Sequence, residues 1–179
     1  MTRRMFLWML AAVGFVLRGG SPLSAQDVQY VRAIDRAQTD RPSTLGATAR
    51  IAPASEPGDP LIIRGRLLNL DGAAAAGAIV FAYHTDRGGL YDDSSRGPHS
   101  WRLRGWARTD ADGRFTFESI RPGAYPGGNI PPHVHFTAFL QNGDRYHSPQ
   151  VNLPAARGGE SRGPEEITAE LRLDARNRF

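Results

Sequence analysis

Short segments in which apolar and polar residues alternate follow one another from residue 61 to residue 173, and turn signals separate them. Alternation with a period of two is typical of β-strands, because successive side chains point to opposite faces of a sheet. The turn signals are Asp71-Gly72, Asp110-Ala111-Asp112-Gly113 and Asn142-Gly143. About seven short strands joined in this way predict an all-β fold, an antiparallel β-sandwich.

Four segments define the predicted sheets. Residues 78–85 are apolar on both faces, which indicates a central strand. Residues 102–109 and 114–118 flank the turn at 110–113 and are predicted to form a hairpin. In residues 133–141 the even-numbered positions are apolar and are expected to face the core, which leaves His133 and His135 on the opposite face.

The first 25 residues are predicted to be a signal peptide. Arg3 and Arg4 stand in a pattern that resembles a twin-arginine export signal, and residues 5–17 are apolar but shorter than a membrane span. Leu23-Ser24-Ala25 is typical of a signal-peptidase site. The mature protein is therefore expected to begin at Gln26, to be exported to the periplasm or beyond the cell, and to keep no stable membrane span; an uncleaved anchor is the alternative.

The mature chain divides into two parts. In the first, residues 26–60, three apolar residues at a spacing of three predict at most one or two helical turns, and the stretch from 42 to 60 is rich in Pro, Ala, Ser and Gly. This part is predicted to be an irregular strap or linker on the domain surface. Residues 61–179 are predicted to form the sandwich domain.

Composition excludes several classes of function. The net charge of +4 includes three arginines of the predicted signal peptide, and no basic run with interleaved aromatic residues occurs, so nucleic acid is not an expected partner. The absence of cysteine removes disulfides, thiolate metal sites and a cysteine nucleophile. No nucleophile elbow, phosphate-binding loop or zincin motif is present.

The His-x-His pair on the predicted strand 133–141 is the main chemical signal. Both imidazoles lie on one face, and burying them without partners would be costly, so they are either solvated or bound to a ligand. Tyr125 lies eight residues upstream, and Tyr91 closes a Gly-Gly-Leu-Tyr loop. If the four side chains converge, two phenolate oxygens and two imidazoles suit ferric iron better than zinc or copper. A zinc or copper site formed by the two histidines with His147 is the alternative.

At these residues the chain resembles the intradiol ring-cleavage dioxygenases, the protocatechuate and catechol dioxygenase family. The resemblance extends from about residue 59 to residue 153. It rests on the following segments: Gly65-Arg66-Leu67-Leu68-Asn69-Leu70-Asp71-Gly72, Gly77-Ala78, Tyr83-His84-Thr85-Asp86, Gly89-Leu90-Tyr91, Arg104-Gly105-Trp106, Thr109-Asp110-Ala111-Asp112-Gly113-Arg114-Phe115, Pro122-Gly123-Ala124-Tyr125-Pro126 and Pro132-His133-Val134-His135-Phe136.

The resemblance implies a function and a set of site residues. Tyr91, Tyr125, His133 and His135 would be the ligands of Fe(III), and Tyr125 would be the ligand that leaves when substrate arrives. Gln150 stands where the family has a glutamine, seventeen residues after the first histidine, and is expected to act in catalysis. The implied reaction uses O2 to cleave a catechol-type ring between its two hydroxyl-bearing carbons.

The chain departs from the family at Ile130, where the best-known members have an arginine that is thought to steady negative charge on the substrate. Arg104 or Arg121 could substitute for it. The turn, strand and Pro-Gly-x-Tyr segments also occur in other sandwich domains. A non-catalytic β-sandwich module that binds carbohydrate or protein is therefore the alternative function.

Overall fold

The structure is a computed structural model that describes residues 25–91, 101–155 and 163–179. Apart from Ala25, the predicted signal peptide lies outside the described residues. The elements in chain order are α1 (Ala25–Thr39), β1 (Thr48–Arg50), β2 (Pro60–Leu68), β3 (Ile79–His84), β4 (Arg104–Arg108), β5 (Arg114–Ile120), β6 (His133–Phe139), β7 (Arg145–His147), β8 (Val151–Asn152), β9 (Glu165–Arg172) and a short 3-10 helix (Ala175–Asn177).

The strands form two sheets, which confirms the predicted β-sandwich. The first sheet has the order β1-β5-β2-β9, and the second has the order β4-β3-β6, with β7 and β8 both paired to the free edge of β6. The second sheet is antiparallel throughout its described pairs. In the first sheet β1 runs parallel to β5, and β9 runs parallel to β2, so this sheet is mixed rather than antiparallel.

The core between the sheets is built from alternate positions of their strands, as the sequence predicts. The even-numbered apolar residues of β6 face this core, and Val134 and Phe136 are almost fully buried. Gly65 on β2 lies directly against the Phe115 ring, and a Cβ at residue 65 would be 1.9 Å from Cζ of that ring. Because Gly65 has no side chain, the Phe115 ring of β5 can lie across the neighbouring strand β2.

The predicted hairpin of residues 102–109 and 114–118 is wrong. The turn forms, with Gly113 in the left-handed region and its amide donating to the Asp110 carbonyl. However, β4 pairs with β3 in the second sheet, and β5 pairs with β2 in the first. The turn is a corner between the sheets, because Ala107 and Phe117 fill the core from opposite sides. The turn signal at Asn142-Gly143, by contrast, does join two paired strands, β6 and β7.

The predicted irregular strap, residues 26–60, contains a regular helix. Helix α1 has 15 residues and packs on the outer face of the second sheet. Its buried side chains, Ala33, Ile34 and Ala37, contact the aromatic side chains of β3 and β4. The helix covers the outer face of β3, so that this strand is buried on both sides. Within the described residues, no helix has the length and apolarity needed to cross a membrane.

Candidate metal centre

The four predicted ligand side chains come from one strand of the second sheet and from two loops. Tyr91 ends the described loop that follows β3, Tyr125 lies in the loop between β5 and β6, and His133 and His135 lie on β6. The two histidines point away from the core between the sheets, as the alternation predicts, and toward the face that α1 covers.

Close packing between two loops brings the tyrosines together. Gly89 has φ of 82°, and a Cβ there would lie 2.0 Å from the Ala124 carbonyl oxygen. The amide of Gly123 donates to the Asp86 carbonyl (2.8 Å), and a Cβ at Gly123 would lie 2.4 Å from the Arg87 carbonyl oxygen. Only glycine fits at these two contacts, so the Gly-Gly-Leu-Tyr and Pro-Gly-Ala-Tyr segments interlock.

The structure brings the hydroxyl oxygens of Tyr91 and Tyr125 and the Nε2 atoms of His133 and His135 into one cluster. The tyrosine oxygens lie 2.5 Å apart, and the histidine nitrogens lie 3.0 Å apart. The Tyr91 oxygen lies 2.9 Å from Nε2 of His135 and 3.2 Å from Nε2 of His133. The Tyr125 oxygen lies 3.0 Å from Nε2 of His133.

The orientation of His133 is fixed by the backbone. This residue is 3% exposed, and its Nδ1 donates to the Pro131 carbonyl at 2.8 Å. In the neutral imidazole the other ring nitrogen, Nε2, then carries a lone pair directed into the cluster. A backbone hydrogen bond of this kind selects the tautomer that a metal-binding histidine needs.

Burial favours the uncharged forms of Tyr91 and His135 when no cation is bound. Burial raises the pKa of the Tyr91 phenol above its usual range, and the hydrogen bond with Tyr125 raises it further. Burial also lowers the pKa of His135 to about 4, with a smaller contribution from neighbouring His133. A bound cation reverses this preference for the phenols, because it stabilises phenolate at neutral pH.

The donor set fits a metal ion. Ligand atoms that lie about 2 Å from a shared ion are about 3 Å from one another, and the five contacts within the cluster span 2.5–3.2 Å. Two oxygen donors that can become anionic, together with two imidazoles, are hard and borderline ligands of the kind that ferric iron accepts. Iron binding by these residues stays a prediction.

Gln150 is not part of this cluster in the structure. Its exposed side chain donates from Nε2 to the Asn152 side chain at 2.9 Å. The register of β8 places Asn152 opposite His133 and Val151 opposite Val134. Gln150 therefore precedes β8 at a position that would follow in register opposite His135, on the face that carries the site. Its catalytic role stays a prediction.

Neither candidate substitute for the arginine that Ile130 replaces is available without breaking an ion pair. Arg104 forms an ion pair with Asp40 at 2.5 Å, and Arg121 forms one with Glu165 at 2.5 Å. Ile130 itself is 45% exposed in the loop between Tyr125 and His133. The predicted substitution by Arg104 or Arg121 therefore finds no support in their contacts.

The alternative site of three histidines is not formed. The ring of His147 stacks on the ring of Phe179, with centroids 3.9 Å apart, and contacts Tyr30. Across the part of the chain that the structure describes, no group of three or more His, Cys, Asp or Glu side chains could hold a metal ion. The observed cluster contains only two histidines, and its other two donors are tyrosine oxygens, a residue type that is not among those four.

Sequence reasoning did not identify Tyr83 and Tyr30 as neighbours of the site. Tyr83 is paired with His135 across β3 and β6, and its ring stacks on the His135 ring. Tyr30 reaches Tyr83 from α1. Their positions depend on strand register and helix packing, and the only local signal is the aromatic residue at the end of the central strand.

Comparisons with a protein-family model and with characterised proteins both match this chain to dioxygenases. The family described as Dioxygenase matches residues 35–146. The chain is 31% identical over 153 residues to catechol 1,2-dioxygenase 2 of Acinetobacter lwoffii, which covers 76% of this chain and 52% of that protein. The chain thus spans about half the length of that relative.

Solved structures share the fold. The dioxygenase domain of a dioxygenase and carbohydrate-binding protein fusion from Streptomyces sp. SirexAA-E superimposes with a TM-score of 0.56 at 27% identity, over 70% of this chain and 86% of that one. Catechol 1,2-dioxygenase from Acinetobacter sp. ADP1 superimposes with a TM-score of 0.55 at 20% identity, over 81% and 67%.

Proposed function

Since the chain belongs to the intradiol ring-cleavage dioxygenase family, we propose that it is a non-haem Fe(III) dioxygenase. Its reaction would use O2 to cleave a catechol-type ring between the two hydroxyl-bearing carbons. The observation that carries the proposal is the convergence of two tyrosine oxygens and two histidine nitrogens within 2.5–3.2 Å. Tyr91, Tyr125, His133 and His135 would hold the ion. When bound, ferric iron supplies the chemistry that makes a catecholate ring reactive toward dioxygen.

The two tyrosines are held differently, which suits different roles. The Tyr91 carbonyl accepts a hydrogen bond from the Arg102 amide at 3.0 Å, and its ring packs against the aromatic cluster under α1. Tyr125 is followed by exposed residues 126–131, with Gly127 in the left-handed region. Tyr125 is therefore the phenol that can move outward, and its oxygen would then take up a proton from a substrate hydroxyl.

We propose that the substrate is a neutral catechol, because the exposed residues beside the ligands are apolar. Leu90 precedes Tyr91 and is 57% exposed, and Ile130 lies three residues before His133. Their two loops are the ones that interlock at Gly89 and Ala124. Apolar side chains at the rim would contact the ring or an apolar substituent. Gln150 would reach the substrate from the same face by a change of rotamer.

The binding-module alternative has less support, because carbohydrate or protein binding by the sandwich gives no reason for the four side chains to converge.

We also propose that the enzyme works after export, on the basis of the twin-arginine pattern near its N-terminus.

Metal analysis of the mature protein, together with its visible spectrum before and after adding catechol without oxygen, tests the proposal. We expect stoichiometric iron and a tyrosinate-to-iron charge-transfer band that shifts when catechol binds, followed by oxygen uptake in air. Tyr125→Phe should alter the band, whereas it would leave a histidine-only zinc or copper site intact. A protein that stays colourless and free of iron after ferrous loading in air would overturn the proposal.

A further inference from the structure

Three aromatic rings form a continuous stack that begins at the candidate metal centre. The His135 and Tyr83 rings have centroids 4.8 Å apart and an interplanar angle of 14°. On the other side of Tyr83, the Trp101 ring lies 4.2 Å away at 20°. Tyr83 and Trp101 are each 3% exposed. The stack follows from strand register, because Tyr83 is directly opposite His135 and shares its face.

Helix α1 fixes the middle ring of this stack. The hydroxyl oxygens of Tyr30 and Tyr83 lie 3.0 Å apart, and the Tyr30 ring meets the edge of Trp101 with centroids 5.6 Å apart. Tyr30 therefore restrains the Tyr83 ring at its hydroxyl end while Trp101 covers its outer side. The Tyr83 ring has little freedom to tilt or slide relative to His135.

The outer ring of the stack is also tied to the centre through the backbone. Trp101 has φ of 37°, the one positive value among non-glycine residues in the described ranges. Its carbonyl accepts a hydrogen bond from Arg104 at 2.9 Å, and the next amide, that of Arg102, donates to the Tyr91 carbonyl. A non-glycine residue keeps such a conformation only when its surroundings determine it. The segment thus links the stack to Tyr91.

We propose that Tyr83 is a positioning residue, which fixes the plane of the His135 imidazole and so the direction of its Nε2 atom. An imidazole can turn about its Cβ–Cγ bond, and that rotation would move Nε2 away from Tyr91 and His133. Stacking on a ring that is itself held from two sides prevents the rotation without using either ring nitrogen. The consequence for metal affinity rests on the proposed iron site, whereas the consequence for the His135 ring does not.

Two measurements test the proposal. In the metal-free protein, NMR should show cross-relaxation between the ring protons of His135 and Tyr83, in wild type and in Tyr83→Phe. In loaded protein, chelator competition should give an iron affinity 10–100-fold lower for Tyr83→Leu, the loss typical of residues that orient a metal ligand. Tyr83→Phe keeps the stacked ring and loses only the hydrogen bond to Tyr30, so it should lower the affinity much less than Tyr83→Leu does.

Phe81→Leu is the matched control. Phe81 is fully buried in the same aromatic cluster, two residues before Tyr83 on the same face, and its ring contacts are with Tyr83, Trp101 and Trp106. It should lower the unfolding midpoint as much as Tyr83→Leu does and leave the iron affinity unchanged. Should Tyr83→Leu not fold, Tyr83→Met, whose flexible side chain fills much of the same space, carries the same expectation.

The outcomes separate this proposal from the proposed function. If wild type binds iron and Tyr83→Leu binds it equally tightly with the same charge-transfer band, Tyr83 has no positioning role and the dioxygenase proposal stands. Equal losses of affinity in Tyr83→Leu and Phe81→Leu would likewise overturn the proposal, since they would indicate a general effect of core packing. If wild type binds no iron, the proposed function fails. The NMR measurement on the metal-free protein then decides the positioning role, which is overturned if no cross-relaxation is seen between the His135 and Tyr83 rings.

Discussion

The two faces of strand β6 are both covered, but by different chemistry. Val134, Phe136 and Ala138 face the first sheet and belong to a core made mostly of aliphatic side chains and phenylalanines. His133 and His135 face the opposite way, toward tyrosines and the aromatic cluster beneath α1. On the inner face the side chains are held by apolar packing, which depends on their volume and burial. On the outer face the histidines make directional contacts through their Nε2 atoms, which depend on distance and orientation. Stability and function should therefore be separable between neighbouring residues of one strand.

The sharpest separation is expected at His135. His135→Ala removes one of the four donors and should lower iron affinity by more than 100-fold, since loss of residues that merely orient a ligand costs about 10–100-fold. Ring cleavage should fall to background. The unfolding free energy of the metal-free protein should fall by about 1–3 kcal/mol, because the ring contacts with Tyr83, Tyr91 and His133 are lost. Chelator competition and chemical denaturation provide the two values, and a metal-free variant that no longer folds would contradict the separation.

The adjacent residue should behave in the opposite way. Phe136 is 1% exposed between the sheets, and Phe136→Ala should destabilise the metal-free protein by about 3–5 kcal/mol through lost burial and a cavity. The fraction that stays folded should bind iron with wild-type affinity, because the site lies on the other face. Chemical denaturation measures the first effect and iron titration at low temperature the second. A specific loss of iron affinity in the folded fraction would show that the faces are coupled.

A polar exception on the inner side adds a pH dependence. His84 is fully buried; its Nδ1 donates to the Thr85 carbonyl at 2.6 Å, and its Nε2 accepts from Ser119 at 2.6 Å. Burial lowers the pKa of His84 to about 4, so the folded protein keeps it neutral while the unfolded chain protonates it below a pKa of about 6.5. The free energy of unfolding is therefore unaffected by this group above about pH 6.5, and it decreases as the pH falls from 6.5 toward 4.

The variant His84→Gln tests that assignment. Denaturation of the metal-free protein at several pH values gives the slope of the unfolding free energy against pH, and this slope gives the number of protons taken up on unfolding. His84 should account for about one of these protons between pH 6.5 and 4. His84→Gln should remove that one proton from the slope, at some cost in stability at every pH. An unchanged slope would mean that another group carries the dependence.

The same contrast explains which features the sequence predicts. Alternation along β6 is local, so it predicts the buried face and the shared face of His133 and His135. The Gly-Gly-Leu-Tyr and Pro-Gly-Ala-Tyr segments allow close loop packing, and the resemblance to a family supplied the expectation that the tyrosines join the histidines.

The features that the sequence does not predict depend on contacts between distant segments. Helix α1 buries mainly small side chains, Ala33 and Ala37 with Ile34, so its apolar face carries a weak periodic signal. The turn at 110–113 has the same local chemistry whether its strands pair or enter different sheets. The pairing of Tyr83 with His135 follows from the register between β3 and β6, which no local pattern specifies.

The smallest expected effect lies at the rim of the outer face, at Ile130. If apolar contacts there favour a neutral catechol, Ile130→Arg should raise kcat/KM for 3,4-dihydroxybenzoate relative to catechol by about tenfold, the value of one partly exposed charge-assisted hydrogen bond. Ile130→Gln, which is polar and uncharged, should leave that ratio nearly unchanged. Steady-state oxygen uptake with both substrates measures it. Because Ile130 is 45% exposed, neither variant should alter the unfolding midpoint, and an unchanged ratio in Ile130→Arg would exclude this residue from substrate selection.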